Sequence, residues 1–76
     1  MLIGKINDKT RRKILVTVKK IKKVAMIDMR VHEISNDGEF IATPAGLSLT
    51  LDQAKQAVEL LMGGCEKLIS PDGISE

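Results

Sequence analysis

The chain has 76 residues, a formal net charge of +2, one phenylalanine and no tryptophan or tyrosine. That length allows one domain and buries a poor fraction of its own surface, so an isolated copy is only marginally stable. Cys65 is the only cysteine and His32 the only histidine, which excludes an internal disulfide and a Cys/His metal site; association into a homodimer is the remaining remedy.

The lone thiol fits a reducing compartment. No apolar run reaches the length of a membrane span, and Met1-Leu2-Ile3 is too short for the apolar core of a signal peptide. The expectation is a cytoplasmic, nucleoid-associated or nuclear protein with no membrane contact. The modest net charge hides a division. Residues 1–23 hold nine Lys/Arg and one Asp, whereas residues 24–76 hold three Lys/Arg and nine Asp/Glu. A basic half joined to an acidic half suits a polyanion on one side. It equally suits a solvated surface that keeps strand edges from pairing with other chains.

In chain order, residues 2–6 read as a short leading extension of a sheet. Residues 12–20 form the first strand, around the β-branched run Ile14-Leu15-Val16-Thr17-Val18. Residues 23–34 form the second, with Ala25, Ile27, Met29 and Val31 on one side and Met26, Asp28, Arg30 and His32 on the other. Asn36-Asp37-Gly38 is a turn, because these residues tolerate positive φ. Residues 39–43 and 47–50 are two further short strands, separated by a turn at Thr43-Pro44-Ala45-Gly46. The period then changes: Leu51, Ala54, Ala57, Val58 and Leu61 mark an amphipathic helix over 51–62. Thr50 and Gln53 open it as a capping box and Gly63-Gly64 stops it. Residues 1–64 are thus one domain, and residues 65–76 a partly flexible tail. The fold class is α+β, a four-stranded antiparallel curved sheet followed by one helix, with the helix covering the Ala25/Ile27/Met29/Val31 face of its own or a partner's sheet.

That leaves the other face for function. Strand one adds Lys13, Leu15, Thr17 and Lys19 to it, strand two adds Arg30 and His32, and Lys20, Lys22 and Lys23 gather at the bend. Lysines and arginines at this density neutralise phosphates and release counterions, which favours nucleic-acid binding without sequence choice. The candidate contacts are Lys13, Lys19, Lys20, Lys22, Lys23 and Arg30. Lys19 and Arg30 have a second reading, as cross-strand ion-pair partners of Asp28. His32 reads as a surface strand residue, Cys65 as an incidental thiol, and the four methionines as core filling. Gly63-Gly64 follows a helix, so it is no phosphate loop. No nucleophile–base pair, carboxylate pair or cofactor motif stands out, which points to a protein that is not an enzyme and needs no metal or cofactor.

Three stretches carry a resemblance: Ile27-Asp28-Met29-Arg30, then Asp37-Gly38-Glu39, then Gly46-Leu47-Ser48-Leu49-Thr50-Leu51-Asp52-Gln53. Together with Ile3-Gly4-Lys5, they make residues 3–62 resemble the C-terminal domain of the transcriptional coactivator positive cofactor four. The resemblance implies a homodimer whose curved sheets hold single-stranded DNA, with melted duplex or RNA as related ligands. It also implies contact with the transcription machinery and roles in transcription, replication or repair. Arg30 matches a DNA-contacting arginine of that family, and Lys19, Lys22 and Lys23 fall in its basic hairpin. The family's base-stacking aromatics correspond here to Ile21 and Glu33, and its aromatic in the first helical turn to Ala54. Electrostatics would then carry most of the binding. Two other readings stay open: an interaction scaffold that kept the dimer and lost the ligand, and a small duplex-DNA-binding regulator.

Overall fold

The computed structural model describes residues 1–70. Its elements are β1 (Leu2–Lys9), β2 (Arg12–Ile21), β3 (Val24–Ile34), β4 (Phe40–Leu49) and α1 (Leu51–Ile69). The strands form one antiparallel meander in the order β1-β2-β3-β4. The architecture is the α+β sheet-then-helix arrangement expected above, but the chain is divided among its elements differently in three places.

The leading extension is a full edge strand. Gly4, Asn7 and Asp8 break the apolar alternation of β1, so periodicity hides it; backbone pairing from Leu2↔Thr17 to Lys9↔Arg12 makes it. The Met1 ammonium donates to the Val18 carbonyl at 2.9 Å, and the Val18 N–H returns a bond to Met1.

The turn expected at Thr43–Gly46 is no turn either. One strand, β4, runs through it. Arg30 pairs with Gly46 and His32 with Ala42, so Thr43, Pro44 and Ala45 all stand opposite Val31. This is a bulge, a place where a sheet accepts a proline. Side chains from β3 and β4 replace the missing ladder bonds. Arg30 Nη1 donates to the carbonyls of Thr43 and Pro44 at 3.2 and 3.1 Å, and Thr43 Oγ1 donates to the Val31 carbonyl at 2.8 Å.

Finally, α1 continues through Gly63-Gly64 to Ile69, and the Ser70 N–H closes it onto the Glu66 carbonyl at 2.9 Å. Each interior glycine disfavours helix by about 1 kcal/mol, but the apolar spacing resumes at Cys65, Leu68 and Ile69. Residues 65–69, expected in the tail, are therefore helical, while 71–76 lie outside the described residues. The helix start is as read: Thr50 Oγ1 accepts from the Gln53 N–H, and Gln53 Oε1 from the Thr50 N–H.

Burial also falls on an unexpected face. Only Leu15 and Asp28 are buried among the described residues, and both lie on the side read as open. The cause is curl. Lys5 on β1 places its ammonium 5.5 Å from the ring centre of Phe40 on β4, although β2 and β3 lie between. Three strand spacings of a flat sheet would separate β1 and β4 by about 14 Å. The inner, concave face thus shelters its own centre. The outer face carries Ile14, Val16, Val18, Ile27, Met29 and Val31, all half-buried. There α1 touches only β3 and β4, with Ala54 and Ala57 half-buried and every later helical residue exposed. Met62, expected as core filling, is exposed with them, as is Met1.

The accessible surface is 6241 Å²; a compact monomer of 8.3 kDa would expose about 4,600 Å². No helix of the described residues is long and apolar enough to cross a membrane.

Gly46 is the position on which the bulge turns. Its φ is +152°, and a Cβ there would stand 2.3 Å from the Met29 carbonyl oxygen and 2.7 Å from the Arg30 Cα. Both obstacles are backbone, so they do not yield easily. Gly46→Ala should lower the unfolding free energy by about 1–3 kcal/mol, read as a drop in the urea midpoint. An unchanged midpoint would mean that β4 passes β3 without this close approach.

Candidate nucleic-acid interface

The concave face is organised around one carboxylate. Asp28 is 4% exposed and has three partners. Arg30 clasps it with two parallel bonds, Nε to Oδ2 at 3.2 Å and Nη2 to Oδ1 at 3.0 Å. Ser48 on β4 donates to Oδ1 at 2.7 Å, and the Lys19 ammonium on β2 stands 3.6 Å away. One side chain thereby ties β2, β3 and β4 together at mid-sheet. The Arg30 hydrogen bonds hold the Asp28 carboxyl below its ordinary value, with help from Ser48 and the charges of Arg30 and Lys19; burial pushes the other way and loses.

The candidate residues divide between two settings. Lys13, Lys19 and Arg30 share the concave face, in register with His32, Met26 and Leu15 respectively. Each is already engaged. Lys13 Nζ donates to the Lys9 carbonyl at 3.1 Å, and Lys19 and Arg30 hold Asp28. The ion-pair reading of Lys19 and Arg30 is the geometry found. Arg30 uses Nε, Nη1 and Nη2 within the fold and is 23% exposed. His32 is also satisfied locally, its Nδ1 lying 3.0 Å from the Arg30 carbonyl.

Lys20, Lys22 and Lys23 stand apart, exposed at the tip of the β2–β3 hairpin. Lys20 is in register with Ala25, so it points to the outer side. Ile21 pairs with Val24, leaving Lys22 and Lys23 as a two-residue loop with φ of 51° and 70°. Such a loop matches the twist of the strands but needs positive φ at both positions, which Asn-Gly adopts most easily. Two lysines there are strained, and backbone strain collects at functional positions. None of the three pairs with a carboxylate among the described residues.

A second basic cluster sits at the opposite end of β2 and was not among the candidates read from the sequence. Lys9, Arg11 and Arg12 line a shallow cleft with Glu33 and Ile34. Two of these cations are committed: Arg12 Nε bonds Asp8 at 2.6 Å, and Arg11 bonds the Ile34 carbonyl and Asn36. Sequence reading also missed Lys5 and Phe40 as members of the concave face. Their alternation was visible, but which side they share follows from the registers Lys5↔Leu15 and Phe40↔Ile34.

No protein-family model and no curated protein sequence matches the chain. Among solved structures, a PC4 homolog from Burkholderia pseudomallei superposes with a TM-score of 0.81, over 86% of this chain and 88% of that one, at 18% identity. The chain has the fold of that protein. PC4 is positive cofactor four, so the fold expected from the Ile27–Arg30 and Gly46–Gln53 stretches is the fold found; at this identity the likeness is one of fold alone.

The Asp28 cluster predicts a pH signature. Its folded-state value lies below the unfolded value of about 3.9, so its contribution is complete above that pH and is lost as pH falls through the folded value. Asp28→Asn leaves Arg30 without its carboxylate and should destabilise the fold by about 3 kcal/mol at pH 7. The gap between the urea midpoints of the two proteins should be full above about pH 4 and narrow progressively as pH falls below it. A gap that stays constant down to pH 2 would show that the carboxylate charge contributes nothing.

Proposed function

We propose that this chain is a non-enzymatic nucleic-acid-binding protein that works as a homodimer. It holds single-stranded DNA, or melted duplex, chiefly through phosphate charge and without sequence preference. The observation that carries this reading is the β2–β3 hairpin: four lysines in residues 19–23, two of them held at positive φ in a two-residue loop. Strain of this kind persists where side-chain position matters more than local stability. Lys20, Lys22 and Lys23 supply free charge, Lys13 and Lys19 flank the path across the concave face, and Arg30 joins the contact from its place on Asp28. The PC4-type fold is consistent with this use. Transcription, replication or repair is the setting, in the nucleoid or nucleus, and RNA is a competing ligand through the same phosphate chemistry.

The dimer rests on the apolar surface. Leu60, Leu61, Met62, Leu68 and Ile69 of α1 are between 61% and 81% exposed, and among the described residues the outer face over β1 and β2 has no helix above it. A second copy whose helix lies on that surface removes both exposures and leaves the concave face to the ligand. Light scattering at micromolar concentration should give twice the chain mass; a stable monomer would overturn the dimer.

The direct test is fluorescence anisotropy with labelled oligothymidine and a matched duplex across a salt series. Wild type should bind the single strand more tightly, with affinity falling steeply as salt rises. The double variant Lys22→Asn/Lys23→Gly relieves the strained loop and removes two charges. It should gain about 1–2 kcal/mol of stability while its salt slope shrinks by about 1.4, the value for two phosphate contacts on a single strand. A variant that binds like wild type would sink the hairpin assignment. A folded dimer that binds neither oligomer would point instead to the interaction-scaffold reading, and preference for duplex to the regulator reading.

A further inference from the structure

Phe40, the only Phe, Tyr or Trp of the chain, occupies a position that neither its sequence neighbours nor the hairpin lysines disclose. Phe40 begins β4 in register with Ile34, which puts it on the concave face with Lys13, Arg30 and His32. It is 41% exposed. The Lys5 ammonium stands 5.5 Å from the ring centre, reaching it from β1 across the curl of the sheet. Lys5 is itself exposed and has no hydrogen-bonded or ion-pair partner among the described residues. An exposed cation over an aromatic face is a weak contact, and a lysine on a flexible stem leaves it easily.

We propose that Phe40 is a base-stacking platform and Lys5 its displaceable cover. An incoming base would take the ring face, and the released Lys5 ammonium would swing to the phosphate beside that base. One weak contact is thereby exchanged for a stack and a phosphate contact. The exchange gives a lysine-dominated surface one point at which it distinguishes unpaired bases from a bare phosphate chain, because a base held inside a duplex cannot offer its face. The platform lies toward the β1–β2 end of the concave face, away from the lysine tip, so a bound strand would be held at both ends of β2. This inference rests on the nucleic-acid reading above and adds the position at which bases are touched.

The test uses the full chain and two labelled oligomers of equal length, oligothymidine and an abasic sugar-phosphate chain. Phe40→Leu keeps an apolar side chain in register with Ile34 and removes the ring. It should weaken oligothymidine binding about five- to thirtyfold, leave abasic binding within about twofold and keep the same salt slope. Equal weakening on both oligomers, or no weakening on oligothymidine, overturns the stacking role while the electrostatic reading stands. Wild type that binds neither oligomer overturns both. Phe40→Trp gives a second readout that does not depend on affinity, since the chain has no other tryptophan. Its emission should be quenched by oligothymidine and not by the abasic chain. Equal response to the two, or none, overturns the platform.

Discussion

Asp28 is the point on which the sheet depends. A carboxylate almost closed to solvent is tolerable only when its charge is matched, and here two cations and a hydroxyl on three strands match it. Arg30 is the hinge of that arrangement. One edge of its guanidinium clasps Asp28 and the other takes the carbonyls that the β4 bulge removes from the ladder. The bulge lets β4 continue past Pro44 to Ser48, and Ser48 completes the carboxylate's hydrogen bonds. Each part requires the next, so ion pair, bulge and strand stand or fall together.

The same arrangement sorts the basic residues. Positive charge inside the concavity is largely spent on the protein itself: Arg30 and Lys19 on Asp28, Lys13 on a carbonyl. At the β2–β3 tip, none of Lys20, Lys22 and Lys23 pairs with a carboxylate among the described residues, and Lys22 and Lys23 hold a backbone conformation that lysine disfavours. In the proposed reading, a ligand drawn by phosphate charge meets the exposed ammonium groups of the tip and a second set already engaged within the concave face. Surface lysines of the first kind confer salt-sensitive affinity without sequence information. In the proposed reading, shape and the exposed faces of bases supply any further selectivity, and Phe40 is the one Phe, Tyr or Trp available to read them.

A second tension lies on the outer face. The sheet buries its centre by curling, yet α1 covers only the β3 and β4 side of the opposite surface. Extending the helix past Gly63-Gly64 adds Cys65, Leu68 and Ile69 to an apolar stripe that nothing among the described residues covers. Exposed apolar area on this scale is rare on a stable monomer. It is the surface on which the proposed dimer rests.

Much of this was legible in the sequence. The β-branched run at 14–18, the alternation of 25–32, the turn at 36–38 and the Thr50/Gln53 cap each settle local structure by local chemistry, and the structure has all four. The concentration of lysine at 19–23 and the possibility of an Asp28 ion pair were legible too. Three things were not. β1 is made by hydrogen bonds to β2 rather than by its own pattern. The Thr43–Gly46 stretch has the residues of a turn, but a guanidinium from the neighbouring strand makes it a bulge. The meeting of Lys5 with Phe40, 35 positions apart, exists only because the sheet curls. Local propensity decides which segments are strand or helix; long-range pairing and curvature decide which side chains share a surface. The amino-acid order by itself therefore determined the charge and most of the elements, and the tertiary structure decided the edge strand, the bulge, which charges are engaged within the fold and which face Phe40 joins.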